Sequence, residues 1–173
     1  SNSATVADII EAIKYARDKG ARVMNISIAV LSDYASLKTE IDASLQQNIT
    51  IVAGMGNEGL NNIYWPAAYP GVIAVGATNS MDERANPFNI GSGGSNYGNH
   101  ISVVAPGDCM IKLRHSSNTV YNYASGTSFS TPIVSGIASL LIAQNKNRTP
   151  AQIKDIIETT AEDLVGLSTE DKS

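Results

Sequence analysis

Cysteine is almost absent from the sequence: Cys109 is the single cysteine in 173 residues, which excludes an internal disulfide bond. Charged residues are also few, at 16%, and the 12 basic and 16 acidic residues leave a formal net charge of −4. The basic residues form no cluster, so neither a nucleic acid nor an anionic membrane surface is an expected partner. No uninterrupted apolar run approaches the roughly 20 residues that span a bilayer, and we therefore predict no membrane segment.

Hydrophobic residues make up 43% of the chain, which favours a folded core in one domain. Thr5 precedes an apolar pattern of helical period that ends at Gly20, and Thr149 with Pro150 marks another helix start. Short β-branched runs alternate with these helical segments, a pattern typical of an α/β fold with a parallel sheet and helices on both faces. The predicted helices cover residues 5–19, 36–47, 128–144 and a segment from 150, and the predicted strands cover residues 22–29, 49–53, 72–77 and 101–105. Residues 81–99 are predicted to form a surface loop and residues 168–173 a frayed tail.

The first candidate for chemistry is Ser128, which lies where a glycine-containing turn enters an apolar helix. At a helix start the backbone N–H groups have no intrahelical partner, and the helix dipole adds positive potential. Such a position can stabilise the oxyanion that forms when a serine hydroxyl attacks a carbonyl. Taken alone, however, the same pattern also fits Ser128 or Thr127 as an ordinary helix cap.

The second candidate is Asn57, in a glycine-rich segment that follows the predicted strand 49–53. Glycines at 54, 56 and 59 allow the backbone to approach a ligand closely, and the Asn57 amide is able to donate a hydrogen bond to an oxyanion. By itself the Asn57-Glu58-Gly59 sequence fits a simple turn equally well. Because ligands of open α/β sheets bind beyond the carboxyl ends of the strands, we expect Asn57 and Ser128 to converge on one cleft.

Together these motifs resemble those of the subtilisin-like serine proteases (subtilases, peptidase S8 type). The stretch from Gly126 to Pro132 is similar to the family's nucleophile motif, and the stretch from Ala53 to Gly59 is similar to its oxyanion segment. Three further stretches, beginning at residues 23, 64 and 95, follow in family order, so the resemblance covers nearly the whole chain. It implies that Ser128 is the nucleophile, that Asn57 is the side-chain oxyanion donor, and that the cleft for an extended peptide is lined by Ser27, Ile28, Ala29, Gly54, Met55, Gly56 and Thr127.

The sequence departs from the family in its catalytic acid and base. Subtilases carry the aspartate in an Asp-Ser/Thr-Gly setting and the histidine in a His-Gly-Thr setting, and neither motif occurs here. The two histidines, His100 and His115, follow the oxyanion segment, and we expect both to be exposed loop residues without a catalytic role. We therefore expect residues 1–173 to be the C-terminal part of a peptidase domain, a partial three-layer domain that lacks its first strands.

Smaller departures concern the substrate pocket. Met55 stands where the family has a small residue, so we expect the pocket to be narrower or reshaped. Glu58 would favour a basic substrate side chain if it faces the pocket. The simpler interpretation is that Glu58 is a solvated carboxylate in a turn. We expect no cofactor and no metal site built from side chains, because His, Cys and carboxylates show no metal-ligand spacing. The resemblance does allow a structural cation on the carbonyl oxygens of Ala67, Tyr69 and Val72.

The expected function is that of a serine endopeptidase that hydrolyses peptide bonds through an acyl-enzyme on Ser128. The chain alone is expected to be inactive, because a serine without a base is a poor nucleophile. Two alternatives remain, a peptide-binding pseudoprotease and an interaction module on the same scaffold. The expected partners are a peptide or protein substrate, the missing N-terminal half of the domain, and a second copy that pairs through an exposed strand at residues 23–28. The resemblance implies a secreted or cell-envelope protein.

Overall fold

A computed structural model describes residues 4–164, which form four helices and six strands. The boundaries predicted from sequence lie within a few residues of those observed, apart from two strands that sequence reasoning missed. The elements are α1 (Val6–Asp18), β1 (Val23–Ile26), α2 (Ala35–Gln46), β2 (Thr50–Gly54), β3 (Ile73–Thr78), β4 (Val103–Pro106), β5 (Met110–Leu113), β6 (Tyr121–Ala124), α3 (Thr127–Gln144) and α4 (Pro150–Thr160).

Local capping explains where two helices begin. The Thr5 side chain accepts the Asp8 N–H at 3.2 Å, while the Asp8 carboxylate accepts the Thr5 N–H at 2.8 Å. Helix α4 starts in the same reciprocal way at Thr149 and Gln152, with a proline at its first position. Each pair satisfies two backbone donors that a helix start would leave free. The helix starts predicted at these positions are confirmed.

The central sheet contains four parallel strands in the order β1-β2-β3-β4. Successive side chains of β2 point to opposite faces: Ile51 and Ala53 join the core beside α1 and α2, and Val52 joins the core beside α3 and α4. The alternation continues in β3, whose residue Ala74 faces the first core. This layered arrangement confirms the predicted α/β fold of a parallel sheet between helices.

Helix α3 crosses the sheet and contacts all four parallel strands. It is the one helix within residues 4–164 whose length, 18 residues, and mean hydropathy, 1.2, would suit a membrane span. Serine and threonine residues interrupt its apolar run, and the sequence accordingly predicts residues 128–144 as a helix but no membrane segment. Val134 and Ala138 are almost wholly buried against the sheet, as expected for a core helix of an α/β domain.

Two features of the fold differ from the prediction. The segment 81–99 is not purely a surface loop, because Ala85, Phe88, Ser95 and Asn96 are buried. Strands β5 and β6 form an antiparallel hairpin that was not predicted. Each strand has only four residues and most of them are exposed, so the short alternations Ile111-Lys112-Leu113 and Tyr121-Asn122-Tyr123 are a weak strand signal in the sequence. The predicted frayed tail at 168–173 lies outside the described residues.

Candidate active site

A small cavity of about 140 Å³ opens where β1 and β2 end and α3 begins. The carboxyl ends of parallel strands meet at one sheet edge, so the loops after β1 and β2 are brought beside the first turn of α3. The cavity is lined by Ser27, Ile28, Ala29, Gly54, Gly56, Asn57, Glu58, Tyr64, Thr127 and Ser128. All but one of the residues predicted for the cleft are in this set.

Met55 is the exception. Its side chain is completely buried in the core beside α1 and α2, and it does not line the cavity. The Met55 side chain points into the core, and only its neighbours Gly54 and Gly56 line the cavity. A Cβ atom at Gly54 would approach the Thr127 and Thr131 hydroxyls to 3.0 Å, so these side chains would have to shift to accommodate any larger residue. Met55 can therefore change the shape of the pocket only indirectly, through its packing in the core beneath Gly54 and Gly56.

Asn57 is anchored to the start of α3. Its Oδ1 atom accepts the Thr127 N–H at 2.8 Å and the Thr127 hydroxyl at 3.0 Å. A backbone N–H needs an acceptor, so this contact assigns the amide orientation and leaves Nδ2, the donor, as the free end. Nδ2 has no acceptor within the described part of the chain. Gly126, with φ +150°, brings its backbone against this side chain; a Cβ there would meet it at 3.4 Å.

Ser128 is half-buried at the second position of α3. Within residues 4–164 its backbone N–H has no hydrogen-bond acceptor, as expected for the first turn of a helix. Its hydroxyl donates to the Ser27 carbonyl at 3.4 Å, and the Ser27 hydroxyl donates to the Ser128 carbonyl at 3.2 Å. The Asn57 amide and the Ser128 N–H are thus two donors without an acceptor among residues 4–164, on residues that line one cavity.

The turn before Ser128 is held by Asp108, a residue that sequence reasoning missed. The carboxylate of Asp108 accepts hydrogen bonds from the Ser125 hydroxyl and from the backbone N–H groups of Asn89 and Cys109. Burial raises the pKa of Asp108, but these hydrogen bonds outweigh burial and hold the pKa below its usual value. The Gly126 N–H donates to the Gly107 carbonyl at 2.8 Å, which fixes the turn at a second point.

Glu58 and Tyr64 close one end of the cavity. The Glu58 carboxylate accepts the Asn57 N–H at 3.0 Å and the Asn96 side-chain amide at 2.8 Å, so it is bonded within the loop and not a freely solvated turn group. Burial, followed by the nearby Glu58 charge, raises the pKa of Tyr64. Tyr64 was not predicted as a wall residue. A tyrosine carries no catalytic signature in a sequence, and only the packing shows where its ring lies.

Neither histidine lies at the cavity. His115 is exposed in the turn between β5 and β6, as predicted. His100 is not an exposed loop residue: it is half-buried, its Nε2 atom has no hydrogen-bond partner among residues 4–164, and burial lowers its pKa. Among the described residues no group of three or more His, Cys, Asp or Glu side chains could hold a metal ion.

Comparisons with known proteins agree with this site. The model of the subtilase family matches residues 1–173. The thermophilic serine proteinase of Bacillus sp. strain AK1 is 37% identical over 169 residues, which cover 98% of this chain and 39% of the relative. Halolysin of Haloferax mediterranei is 37% identical over 168 residues, which cover 97% of this chain and 30% of the relative. The chain therefore spans less than half the length of these relatives.

The fold is similar to the crystal structure of a cold-adapted subtilisin-like serine proteinase, with a TM-score of 0.82 and 26% identity. The match covers 93% of this chain and 56% of the other. The family match over the whole sequence, together with these relatives, shows that the chain belongs to the subtilase family of serine proteases.

Proposed function

We propose that residues 1–173 are the C-terminal part of a serine endopeptidase domain and supply its nucleophile and both oxyanion donors. The observation that carries this proposal is the hydrogen bond from the Thr127 N–H to Asn57 Oδ1, at 2.8 Å. It ties the oxyanion segment to the nucleophile turn and turns the free Nδ2 donor of Asn57 toward the cavity that Ser128 lines. Donor and nucleophile must serve one carbonyl, and this bond supports that arrangement.

The proposed reaction begins when the Ser128 Oγ attacks the carbonyl carbon of a peptide bond. The hydroxyl proton passes to a base, and the carbonyl oxygen becomes an oxyanion held by Asn57 Nδ2 and the Ser128 N–H. Collapse of the tetrahedral intermediate breaks the C–N bond, and the leaving amine takes the proton from the base. Water then attacks the acyl-enzyme by the same route, which releases the acid product and restores the Ser128 hydroxyl.

The base and its orienting carboxylate come, in this proposal, from residues that are not in this sequence. His100 and His115 do not line the cavity, and the family motifs for the aspartate and histidine are absent from the chain. In the structure the Ser128 hydroxyl donates to the Ser27 carbonyl at 3.4 Å instead of to a base. A contact of that length is weak, so the hydroxyl is free to turn toward a base when one is supplied.

The proposed substrate is an extended peptide bound between Ser27–Ala29 and Gly54–Gly56. Both segments line the cavity; Ser27–Ala29 follows β1, and Gly54–Gly56 begins at the last residue of β2. Backbone hydrogen bonds to a strand edge would bind the peptide, and the cavity would take one of its side chains. The structural cation on the carbonyl oxygens of Ala67, Tyr69 and Val72 stays a prediction; the Tyr69 carbonyl accepts the Val72 N–H at 3.1 Å, which leaves it one lone pair.

The test is reconstitution. In subtilisin, a member of this family, loss of the serine or the histidine alone lowers kcat by about 2 × 10⁶, a family value that we adopt. The isolated chain should therefore cleave a chromogenic peptide at background rate and react only slowly with a serine-directed phosphonate. Co-refolding with a segment that carries the Asp-Ser/Thr-Gly and His-Gly-Thr motifs should restore both, and Ser128→Ala should abolish them.

Robust turnover by the isolated chain, abolished by Ser128→Ala, would instead mean that a residue of this chain acts as the base. The pseudoprotease or interaction-module alternative predicts peptide binding without cleavage even after reconstitution. The free donors at Asn57 and Ser128 argue against that alternative, since binding alone requires neither.

A further inference from the structure

Asn96 lies in the segment 81–99, and its side chain is completely buried. Its Oδ1 atom accepts the backbone N–H groups of Glu58 and Leu60, both at 3.0 Å. Its Nδ2 group donates to the Met55 carbonyl at 3.1 Å and to the Glu58 carboxylate at 2.8 Å. An amide side chain has two acceptor sites and two N–H donors, so every hydrogen-bonding position of Asn96 is used. All four bonds go to the segment that contains Asn57.

The backbone of Asn96 is bonded on one side to the loop and on the other, through Ser95, to strand β3 of the sheet. Its N–H donates to the Gly56 carbonyl at 3.1 Å, and its own carbonyl accepts the Ser95 hydroxyl at 3.1 Å. The same Ser95 hydroxyl accepts the Ala77 N–H of β3 at 2.9 Å. A continuous series of hydrogen bonds therefore runs from the rigid strand β3 through Ser95 and Asn96 to the loop around Asn57.

We propose that Asn96 is a positioning residue that sets the location of the Asn57 amide and, through it, the geometry of the nucleophile turn. The loop after β2 has only an isolated bridge to Gly94, which donates to the Asn57 carbonyl at 2.9 Å and accepts the Gly59 N–H at 2.8 Å. The Asn96 amide accepts the N–H groups of Glu58 and Leu60, which this bridge leaves unpaired, and so completes the attachment of the loop. An oxyanion donor must be placed accurately, because an error of about 1 Å can lower a rate about a hundredfold. The proposal rests on the proposed role of Asn57 as oxyanion donor.

Hydrogen exchange at the Thr127 amide provides a reporter that needs no catalysis. Thr127 is the first residue of α3, so its N–H has no intrahelical partner, and its acceptor is Asn57 Oδ1. Displacement of Asn57 should therefore expose this N–H to solvent. In the 173-residue chain, followed by NMR, Asn96→Ala should speed Thr127 exchange by about tenfold or more, the scale expected for loss of one hydrogen bond.

The matched control is Asn99→Ala, which removes an exposed asparagine from the same segment and should leave Thr127 exchange unchanged. If Asn96→Ala does not fold, Asn96→Asp is the second variant: it keeps the acceptor oxygen but loses both donors, to the Met55 carbonyl and to the Glu58 carboxylate, and it places a second carboxylate against Glu58. It should also speed Thr127 exchange. Slow exchange at Val75 of β3 would show that the sheet is intact in each variant.

A double-mutant cycle separates positioning from a merely local role. Asn57→Ala alone should release Thr127, and adding Asn96→Ala should give no further increase if Asn96 acts through Asn57. Faster exchange at Glu58 and Leu60 with an unchanged Thr127 would overturn the proposal, as would fully additive effects. These outcomes are independent of reconstituted activity. A failure of the reconstitution with the coupling intact would refute the proposed function but not the coupling between Asn96 and Asn57.

Discussion

Ser27 and Ser128 exchange two hydrogen bonds across the cavity, from the Ser27 hydroxyl to the Ser128 carbonyl at 3.2 Å and from the Ser128 hydroxyl to the Ser27 carbonyl at 3.4 Å. The end of β1 and the start of α3 are thereby held face to face, although 101 positions separate them in the sequence. One consequence is that Ser128, the proposed nucleophile, lies beside the end of β1, where the proposed substrate would bind. The remaining requirement is a base on the open side.

The first prediction separates the two functions of the Asn57 side chain. Asn57→Asp keeps an oxygen that accepts the Thr127 N–H but loses the donor, whereas Asn57→Leu loses both. In the reconstituted enzyme either change should lower kcat by about 10²–10³ with little change in KM; this is the measured effect of removing the side-chain oxyanion donor in subtilisin. Thr127 exchange should stay slow only in Asn57→Asp. Equal kcat in all three proteins would exclude Asn57 as the donor.

The second prediction concerns Tyr69, which fastens the loop that follows β1. Its hydroxyl donates to Asp33 at 2.8 Å, and burial, followed by this carboxylate, raises the pKa of Tyr69 to about 12. The folded state therefore favours the protonated phenol relative to the unfolded chain, whose tyrosines titrate near 10. The stabilisation is complete below about pH 10 and is lost as the pH rises through 12.

Tyr69→Phe should lower the free energy of unfolding by about 1–3 kcal/mol at neutral pH, as expected for a hydrogen bond to a charged acceptor. The difference from wild type should shrink between pH 10 and 12, measured by denaturant unfolding. Tyr121→Phe is a suitable control, because that tyrosine is exposed. A difference that stays constant with pH would contradict the assignment.

The third prediction concerns His100. Burial lowers its pKa, so the folded state favours the neutral imidazole more than the unfolded chain does. Its contribution is therefore fully present above the unfolded pKa, about 6.5, and is lost as the pH falls below that value toward the folded pKa. His100→Asn should flatten the fall in stability just below pH 6.5, whereas the same change at the exposed His115 should not. In the reconstituted enzyme neither change should alter the pH profile of kcat; loss of the fall in kcat at low pH in either variant would identify the base within this chain.

The fourth prediction is self-association through β1. Within residues 4–164, β1 pairs with β2 alone, so its other edge is open. The Thr50 N–H donates to the Arg22 carbonyl, so by alternation the Val23 and Asn25 backbone groups point outward. Such an edge recruits another strand, and we expect the chain to dimerise there.

Asn25→Pro removes an outward N–H without touching the bonds to β2, and it should lower the dimer fraction measured by light scattering. The matched control is Tyr123→Pro in the exposed hairpin, a residue whose N–H points away from β5, and it should leave the dimer fraction unchanged. A monomer at all concentrations, with fast exchange at Val23 and Asn25, would contradict the prediction.

The fold class followed from the sequence because its signals are local. Thr5 and Thr149 cap helices by contacts within three residues, and the apolar runs of β2 and β3 are buried on both faces of a parallel sheet. From the sequence, Met55 is predicted to line the cleft, whereas the structure places its side chain in the core. Strand alternation directs it into the core, and a motif shared with a family does not show which face a side chain takes.

The motifs around Asn57 and Ser128 were sufficient to predict one cleft, because parallel strands bring their carboxyl ends to a single edge. The positions and contacts of three other site residues are set by the tertiary structure alone: Asn96, Asp108 and Tyr64. Each acts through contacts with residues distant in sequence, such as the 38 positions between Asn96 and Glu58. An asparagine in a polar, glycine-rich stretch has the same local pattern whether it is solvated or buried. Only the packing of that stretch against the loop after β2 removes water from the Asn96 amide and commits all its hydrogen bonds to the oxyanion segment.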